Sequence, residues 1–174
     1  CNLTNASDME TIFANVMSNR KFLYSAFYAC TNDSVLDFFE SYGLATKIER
    51  GNRVFPVSDH SSDVIAALTR ALKDKQVQIC LNTKVQELLT EELPQDPSLS
   101  EAEQKKLPAK RVTGVRLTGG RVLSADAVIL ATGGVSYPST GATGDGYLFA
   151  EKTGHKITTP TPALVPFNIR EEWC

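Results

Sequence analysis

The chain has 174 residues, of which 42% are hydrophobic and 22% charged, and its formal net charge is −2. This length and composition fit one folded domain, or one domain with the start of another, and favour a globular core over a disordered chain. The charge predicts no basic surface for a nucleic acid. No apolar run approaches the ~20 residues of a membrane span, so we also expect no membrane partner.

The four cysteines, at positions 1, 30, 80 and 174, are widely separated and have no neighbouring histidine. Zinc ligands are usually closely spaced, so this pattern argues against a metal site and for structural thiols, with Cys80 buried. The chain opens at Cys1 without methionine or a secretory signal pattern. We therefore expect a piece of a longer protein from the reducing cytoplasm.

Apolar spacing predicts three helices in the first third of the chain, over 9–16, 22–30 and 34–42. Ser7 or Asp8 is expected to cap the first helix, Asn32 or Asp33 caps the third, and Gly43 ends it.

Two short extended segments, 46–49 and 53–55, flank Gly51-Asn52 and predict a hairpin. A helix over 62–73, entered through Ser61 or Ser62, leads directly into an apolar strand at 77–81, so the two form an αβ unit. The helix residues expected to face the core are Val64, Ile65, Leu68 and Leu72.

An extended segment at 84–89 precedes a proline-containing stretch, 90–108, which we expect to be a loop insertion. The pattern then predicts a β-meander over 112–117, 122–125 and 127–131, with a turn at Gly119-Gly120.

The apolar strand 127–131 ends in Ala131-Thr132-Gly133-Gly134, and Thr143-Gly144-Asp145-Gly146 follows at the start of a helix over 145–153 that stops at Gly154. Glycines at such turns let the main chain approach a phosphate-bearing cofactor closely. The chain contains no G-x-G-x-x-G. The sequence therefore predicts one half of a dinucleotide site without the other.

Four blocks of the chain carry a family resemblance. Residues 1–5 resemble the end of a G-G-G-R-C-N-x-T-N signature, and 51–56 resemble G-R-V-F-P with Asn52 inserted. Residues 137–147 are similar to P-x-x-G-x-T-G-D-G-Y, and 162–166 to P-S/A-L-V-P. In this order the blocks resemble the HI0933-like flavoproteins, also described as aminoacetone oxidase-like or YhiN-like NAD(P)/FAD-dependent oxidoreductases, over nearly the whole chain except the loop.

The resemblance implies an α/β fold, a partial two-part FAD-binding Rossmann-like domain with helices, parallel strands and a three-stranded β-meander, lacking the N-terminal G-x-G-x-x-G βαβ unit. Residues 1–159 would belong to this domain and 160–174 would begin the connection to a second one. The family also implies non-covalent FAD, with NAD(P)H or oxygen exchanging electrons and a small molecule as substrate.

The same resemblance assigns candidate cofactor contacts. Residues at the start of the chain would lie near the flavin ring or ribityl chain, and Val85 would offer its main chain to the adenine. The A-T-G-G segment would pass the pyrophosphate or ribityl chain, and the T-G-D-G segment would approach the flavin end. The residues are Cys1, Asn2, Thr4, Asn5, Val85, Ala131, Thr132, Gly133, Gly134, Thr143, Gly144, Asp145 and Gly146.

Simpler interpretations stay open for several side chains. Asp145 is explained equally well as an N-cap or as an acceptor for a ribityl hydroxyl. Asn2 and Asn5 are also explained as turn-forming residues, because asparagine is common in turns. The side chain of Val85 is explained by packing, as is usual for valine in a strand. For Tyr137 two roles are open: its ring would either stack on a flavin or cover one face of the sheet. His60 and His155 are explained as lone surface residues. Arg53 either meets a phosphate or is a solvated residue of the hairpin.

No paired acid and base, and no nucleophile with a positioned histidine, is visible in the sequence, so catalytic residues are not assigned. Two alternatives to an enzyme remain: a nucleotide-binding module without redox activity, and a structural or interaction domain. Without the G-x-G-x-x-G unit, the chain alone is expected to be colourless and inactive, and its open sheet edges favour self-association.

Overall fold

The computed structural model describes residues 2–104 and 107–162, which belong to two compact units, Cys1–Cys80 and Leu81–Cys174. The predictions for Cys1, Cys174 and most of 160–174 concern residues outside the described ranges. Among the described helices, none combines the length and the apolar character that a bilayer crossing requires.

The first unit packs helices around a small antiparallel sheet with the strand order β1-β3-β2. Four pairs join β2 to β3, with Ile48 opposite Val54, and this is the predicted hairpin. The elements are β1 Thr4–Asn5, α1 Met9–Ala14, α2 Arg20–Ala29, α3 Asn32–Ser41, β2 Thr46–Glu49, β3 Arg53–Pro56 and α4 Ser61–Asp74.

The core of this unit lies where α3 meets α4 and the sheet. Phe39, Leu44, Val64 and Ala67 form one buried cluster. Leu44 enters it directly after the end of α3, where its N–H donates to the Phe39 carbonyl at 3.0 Å. The predicted end of this helix at Gly43 is therefore confirmed.

Two predicted helix caps differ from the structure. Asp8 caps α1 by accepting a hydrogen bond from the Thr11 N–H, as expected. The third helix is capped by Thr31, which accepts from the Ser34 N–H at 3.1 Å, and not by Asn32 or Asp33. The N-cap of α4 is His60, which makes no side-chain cap bond, and not Ser61 or Ser62.

The inward face of α4 was predicted wrongly. Val64 is buried as expected, but Ile65, Leu68 and Leu72 are 63%, 41% and 36% exposed. The helix turns its small residues, Ala67 and Ala71, inward instead, because α4 packs closely against α3 and β3. A second apolar face of α4 is therefore left open.

The second unit contains a three-stranded antiparallel sheet in the order β4-β5-β6. The loop insertion is shorter than predicted, because β4 and β5 stay paired from Val85↔Leu117 to Glu92↔Lys110. The elements are β4 Val85–Glu92, α5 Glu101–Gln104, β5 Lys110–Leu117, β6 Val122–Ser124 and α6 Asp145–Lys152.

Two segments that were predicted as strands, 77–81 and 127–131, are not strands in the described structure. All strand pairs of the described residues are antiparallel, so β4, and not 127–131, is the third strand of the meander. A strand needs a neighbour to hydrogen bond with, and no described strand pairs with either segment. Ile129 is 90% exposed, and Cys80 is exposed where burial was predicted.

Candidate functional site

The two glycine-rich segments of the second unit lie against each other. A Cβ at Gly146 would stand 2.5 Å from Thr132 Oγ1, and one at Gly144 would stand 3.0 Å from Val135 Cγ1. The two segments can therefore approach this closely only because Gly144 and Gly146 have no side chain. The structure brings together the A-T-G-G and T-G-D-G segments that the sequence singled out.

The A-T-G-G segment leaves main chain accessible. Ala131, Thr132 and Gly133 are exposed, and Gly134 is half-buried. A Cβ at Gly133 would have only Ala142 nearby, at 3.7 Å. Here the backbone is open to a ligand, whereas Gly144 is buried beneath its neighbours.

The N-terminus of α6 is formed by the T-G-D-G segment, with Thr143 exposed just before it. Gly144 is the N-cap with φ +82°, and no described side chain accepts a hydrogen bond from the first helical N–H groups. Such a helix end carries a partial positive charge and free donors, which suit an anion.

Asp145 is the first residue of α6 and not its N-cap, so the interpretation of this residue as a cap is wrong. Its Oδ2 lies 3.8 Å from Lys84 Nζ, which is 69% exposed. An exposed pair at this separation contributes little to stability. The carboxylate is therefore available to accept a hydrogen bond from a hydroxyl.

Val85 begins β4, an edge strand of the described sheet. The carbonyl of the preceding Lys84 accepts from the Thr118 N–H at 2.9 Å. Because peptide groups alternate along an antiparallel strand, the N–H and C=O of Val85 turn towards the open edge. This geometry suits the main-chain role predicted for Val85, which stays a prediction.

In the first unit, Asn2, Thr4 and Asn5 lie together at the start of the chain. Thr4 pairs with Val54 in the sheet. The Asn5 side chain donates to the Gly51 carbonyl at 2.8 Å and accepts from the Ser7 N–H at 2.9 Å. The turn-forming role considered for Asn5 is therefore present in the structure.

Asn2, Thr4 and Asn5 all line one cavity of about 520 Å³. Asn32 lines it as well, and sequence reasoning had treated this residue only as a helix cap. Its side chain donates to the carbonyls of Asn5 and Ser7, both at 2.8 Å. No local pattern could have found this role, because the partners lie 27 and 25 residues away.

The remaining candidate side chains are exposed. Tyr137 is 80% exposed. The Arg53 guanidinium lies 5.4 Å from the centre of the Phe55 ring, and His60 and His155 are exposed, as expected for lone surface residues. In residues 2–104 and 107–162, no group of three or more His, Cys, Asp or Glu side chains is arranged to hold a metal ion.

Comparison with known proteins places these residues in a family context. A family model described as HI0933-like protein Rossmann domain matches residues 1–168. The 3-dehydro-bile acid delta(4,6)-reductase of Clostridium scindens is 31% identical over 171 residues, covering 98% of this chain and 36% of the relative. The ribosomal RNA dihydrouridine synthase of Haemophilus influenzae is 28% identical over 173 residues, covering 98% and 38%.

The chain thus spans little more than a third of the length of these curated relatives. The family match extends over both described units, including the two glycine-rich segments and the cavity-lining residues of the first unit. The expected family and its α/β, Rossmann-like class are confirmed. The chain belongs to the HI0933-like family, and it matches that family's Rossmann domain.

Proposed function

We propose that the whole protein is an FAD-dependent oxidoreductase that reduces a carbon–carbon double bond in a small substrate. This chain would supply part of its FAD-binding domain. The observation that carries the proposal is the contact between the A-T-G-G segment and the uncapped N-terminus of α6. Family membership and two relatives named as a reductase and a dihydrouridine synthase support it.

The described residues fit a dinucleotide in three respects. Gly133 offers exposed main chain that a phosphate can approach. The first N–H groups of α6 offer donors and a favourable dipole. Asp145 is better suited to a sugar or ribityl hydroxyl than to a phosphate, because two negative charges would repel each other.

When bound, FAD would supply the hydride chemistry, and this chain's own residues would position it and exclude water. Thr132 and Gly133 would hold the pyrophosphate or ribityl region, and Val85 would bind the adenine through its main chain. Asn2, Thr4 and Asn5 would lie towards the ring end. No described side chain is assigned as a proton donor.

The chemistry in the relatives' names supports a proposal for the direction of electron flow. A delta(4,6)-reductase of a 3-dehydro compound and a dihydrouridine synthase both add two hydrogens across a double bond conjugated to a carbonyl. A hydride and a proton are added to the substrate, and the hydride must come from a donor. We propose NAD(P)H as that donor. Oxygen accepts electrons, so it would be the partner of the flavin only if the substrate were oxidised and not reduced.

A small molecule is the proposed substrate class, although one relative is named for ribosomal RNA. Our chain has 18 basic and 20 acidic residues, and this balance gives no electrostatic reason for RNA binding. The exposed free thiols of Cys30 and Cys80 suit a reducing compartment, and we propose the cytoplasm.

The test uses the whole protein, purified without added cofactor. We expect visible flavin absorbance, bleaching by NAD(P)H without oxygen, and recovery of the colour when an α,β-unsaturated carbonyl compound is added. Flavin that binds but is never reduced would instead favour a nucleotide-binding module. Absence of flavin, with no change in melting temperature on adding FAD, would favour a structural domain.

A matched pair of variants tests the site itself. Gly133→Asp places a carboxylate on the exposed main chain proposed to meet the cofactor, and Gly141→Asp is its control. Both glycines are exposed and have positive φ, +74° and +94°, so the backbone strain is comparable. We expect Gly133→Asp to lose FAD and Gly141→Asp to retain it. Equal retention would contradict the assignment.

A further inference from the structure

The cavity of the first unit has a polar side and an apolar side. Asparagine and threonine side chains line one part of it, and the other is formed by Ile12, Ala26, Phe27 and Val35. The Cys30 thiol also lines it and is free and exposed. A volume of about 520 Å³ is in the range of small-molecule sites, which combine apolar walls with few polar groups.

The orientation of Asn32 determines what the polar side can recognise. Asn32 is 8% exposed, and its Nδ2 uses both hydrogens on the carbonyls of Asn5 and Ser7. An amide nitrogen has two donors, so none is left for a ligand. No described residue donates to its Oδ1, which remains as an acceptor.

Asn2 repeats this arrangement at the same cavity. When its amide is oriented to satisfy its neighbours, its nitrogen donates to the carbonyls of Thr4 and Val54 at 2.9 and 3.2 Å. Asn2 and Asn32 therefore have no amide hydrogen left for a ligand, and Asn32 Oδ1 is the acceptor that they leave open to the cavity. Asn5, the third asparagine of the cavity, differs, because among the described residues its Nδ2 donates to the Gly51 carbonyl alone and keeps one hydrogen.

We propose that this cavity is the substrate pocket, that its ligand is a small, largely apolar ring compound carrying an N–H or O–H group, and that Asn32 Oδ1 accepts the hydrogen bond from that group. That the ligand is the substrate rests on the proposed function. That the cavity binds such a compound rests only on its lining residues. The apolar wall takes the ring, and the acceptor selects against compounds that lack a donor. Asn32 is a specificity-determining residue in this proposal.

The test uses Cys30 as a reporter of occupancy in the whole protein. Alkylation by iodoacetamide is followed at each cysteine by peptide mapping, with Cys80, which does not line the cavity, as the internal control. The probes are β-naphthol and its methyl ether, which differ only in the O–H donor. Saturating β-naphthol should slow alkylation of Cys30 about tenfold or more and leave Cys80 unchanged. The ether should bind about three- to tenfold more weakly, the range expected for one hydrogen bond.

Two substitutions on α2 provide the matched control. Ala26→Phe fills the cavity from its apolar wall and should abolish protection, whereas Ala29→Phe, on the same helix but outside the cavity, should not. Equal binding of naphthol and ether, or protection that survives Ala26→Phe, would overturn the proposal. So would displacement of naphthol by FAD, since the cavity would then belong to the cofactor. A protein that binds no FAD but shows naphthol protection would refute only the proposed function.

Discussion

Thr132 Oγ1 lies 2.5 Å from the position that a Cβ would take at Gly146, closer than such atoms approach in real structures. Gly146 is the second residue of α6, and Thr132 lies in the exposed A-T-G-G segment. The packing of these two chain segments explains why position 146 is a glycine. Cofactor binding is not needed to account for it, although the packing builds the proposed site.

The first prediction concerns this pair. Alanine is the better helix former by about 1 kcal/mol, but in Gly146→Ala it must displace the Thr132 hydroxyl. In a Thr132→Ala background the nearest atom would be a Cβ at 3.8 Å. We expect alanine at 146 to be more favourable there by about 1 kcal/mol, measured by urea unfolding of the four proteins. Additive effects would show that the contact is absent.

The second prediction separates backbone strain from crowding at the start of α6. Gly144 and Gly141 both have positive φ, +82° and +94°, but a Cβ at 144 would meet Val135 Cγ1 at 3.0 Å and one at 141 would meet nothing within 4 Å. Each alanine substitution should cost about 1–2 kcal/mol through strain. Gly144→Ala should cost about 1 kcal/mol more. Equal losses in thermal unfolding would exclude the contact with Val135.

A third prediction concerns the buried amide of Asn32. Asn32→Asp keeps the shape but removes both donors and leaves the carbonyls of Asn5 and Ser7 without a partner. We expect a loss of about 2–4 kcal/mol in the free energy of unfolding. Asn82→Asp is the control, because Asn82 is exposed and makes no described side-chain hydrogen bond. Similar losses at both positions would contradict the observed role.

A fourth prediction is a pH dependence. The Tyr42 hydroxyl donates to Asp74 Oδ2 at 3.0 Å. This bond raises the pKa of Tyr42 above 10.0. Hydrogen bonds from Lys75 first, and then from Tyr42, lower the pKa of Asp74 below 3.8.

The signs of the two pKa shifts define a pH window. The Asp74 contribution is present above its unfolded pKa and is lost as pH falls through the lower folded value. The Tyr42 contribution is present below 10.0 and is lost as pH rises through the higher folded value. Tyr42→Phe should therefore destabilise the protein at neutral pH and differ less from wild type at both extremes. A constant difference across pH, in urea unfolding, would rule out the bond.

The fifth prediction concerns the exposed apolar segments. Val77 and Ile129, in the segments 77–81 and 127–131, are 48% and 90% exposed. Folded proteins rarely leave a contiguous run of apolar side chains exposed to solvent. We expect the amides of 128–130 to exchange slowly with deuterium in the whole protein and quickly in the 174-residue chain, because a neighbouring strand would protect them. Fast exchange in both would refute the strand prediction for the whole protein as well.

Much of the local structure was accessible to sequence reasoning. Helical spacing located α1, α2 and α3, and Gly51-Asn52 located the hairpin, because these elements depend on residues close in the chain. The inward face of α4 was not accessible, since three of its apolar residues form a stripe as regular as the buried one. Which stripe is buried depends on what packs against the helix.

The candidate site, too, was only partly predictable from the sequence. The glycine-rich segments were visible as motifs, but their contact through Thr132 and Gly146 was not. Sequence alone determined the helices, the hairpins, the glycine motifs and the family resemblance, since each is encoded by neighbouring residues. Only the tertiary structure decided that Asn32 turns its nitrogen to the carbonyls of Asn5 and Ser7 and keeps its oxygen free. The reason is physical: the amide orients towards whichever partners the fold brings within hydrogen-bonding distance, and these come from another part of the chain.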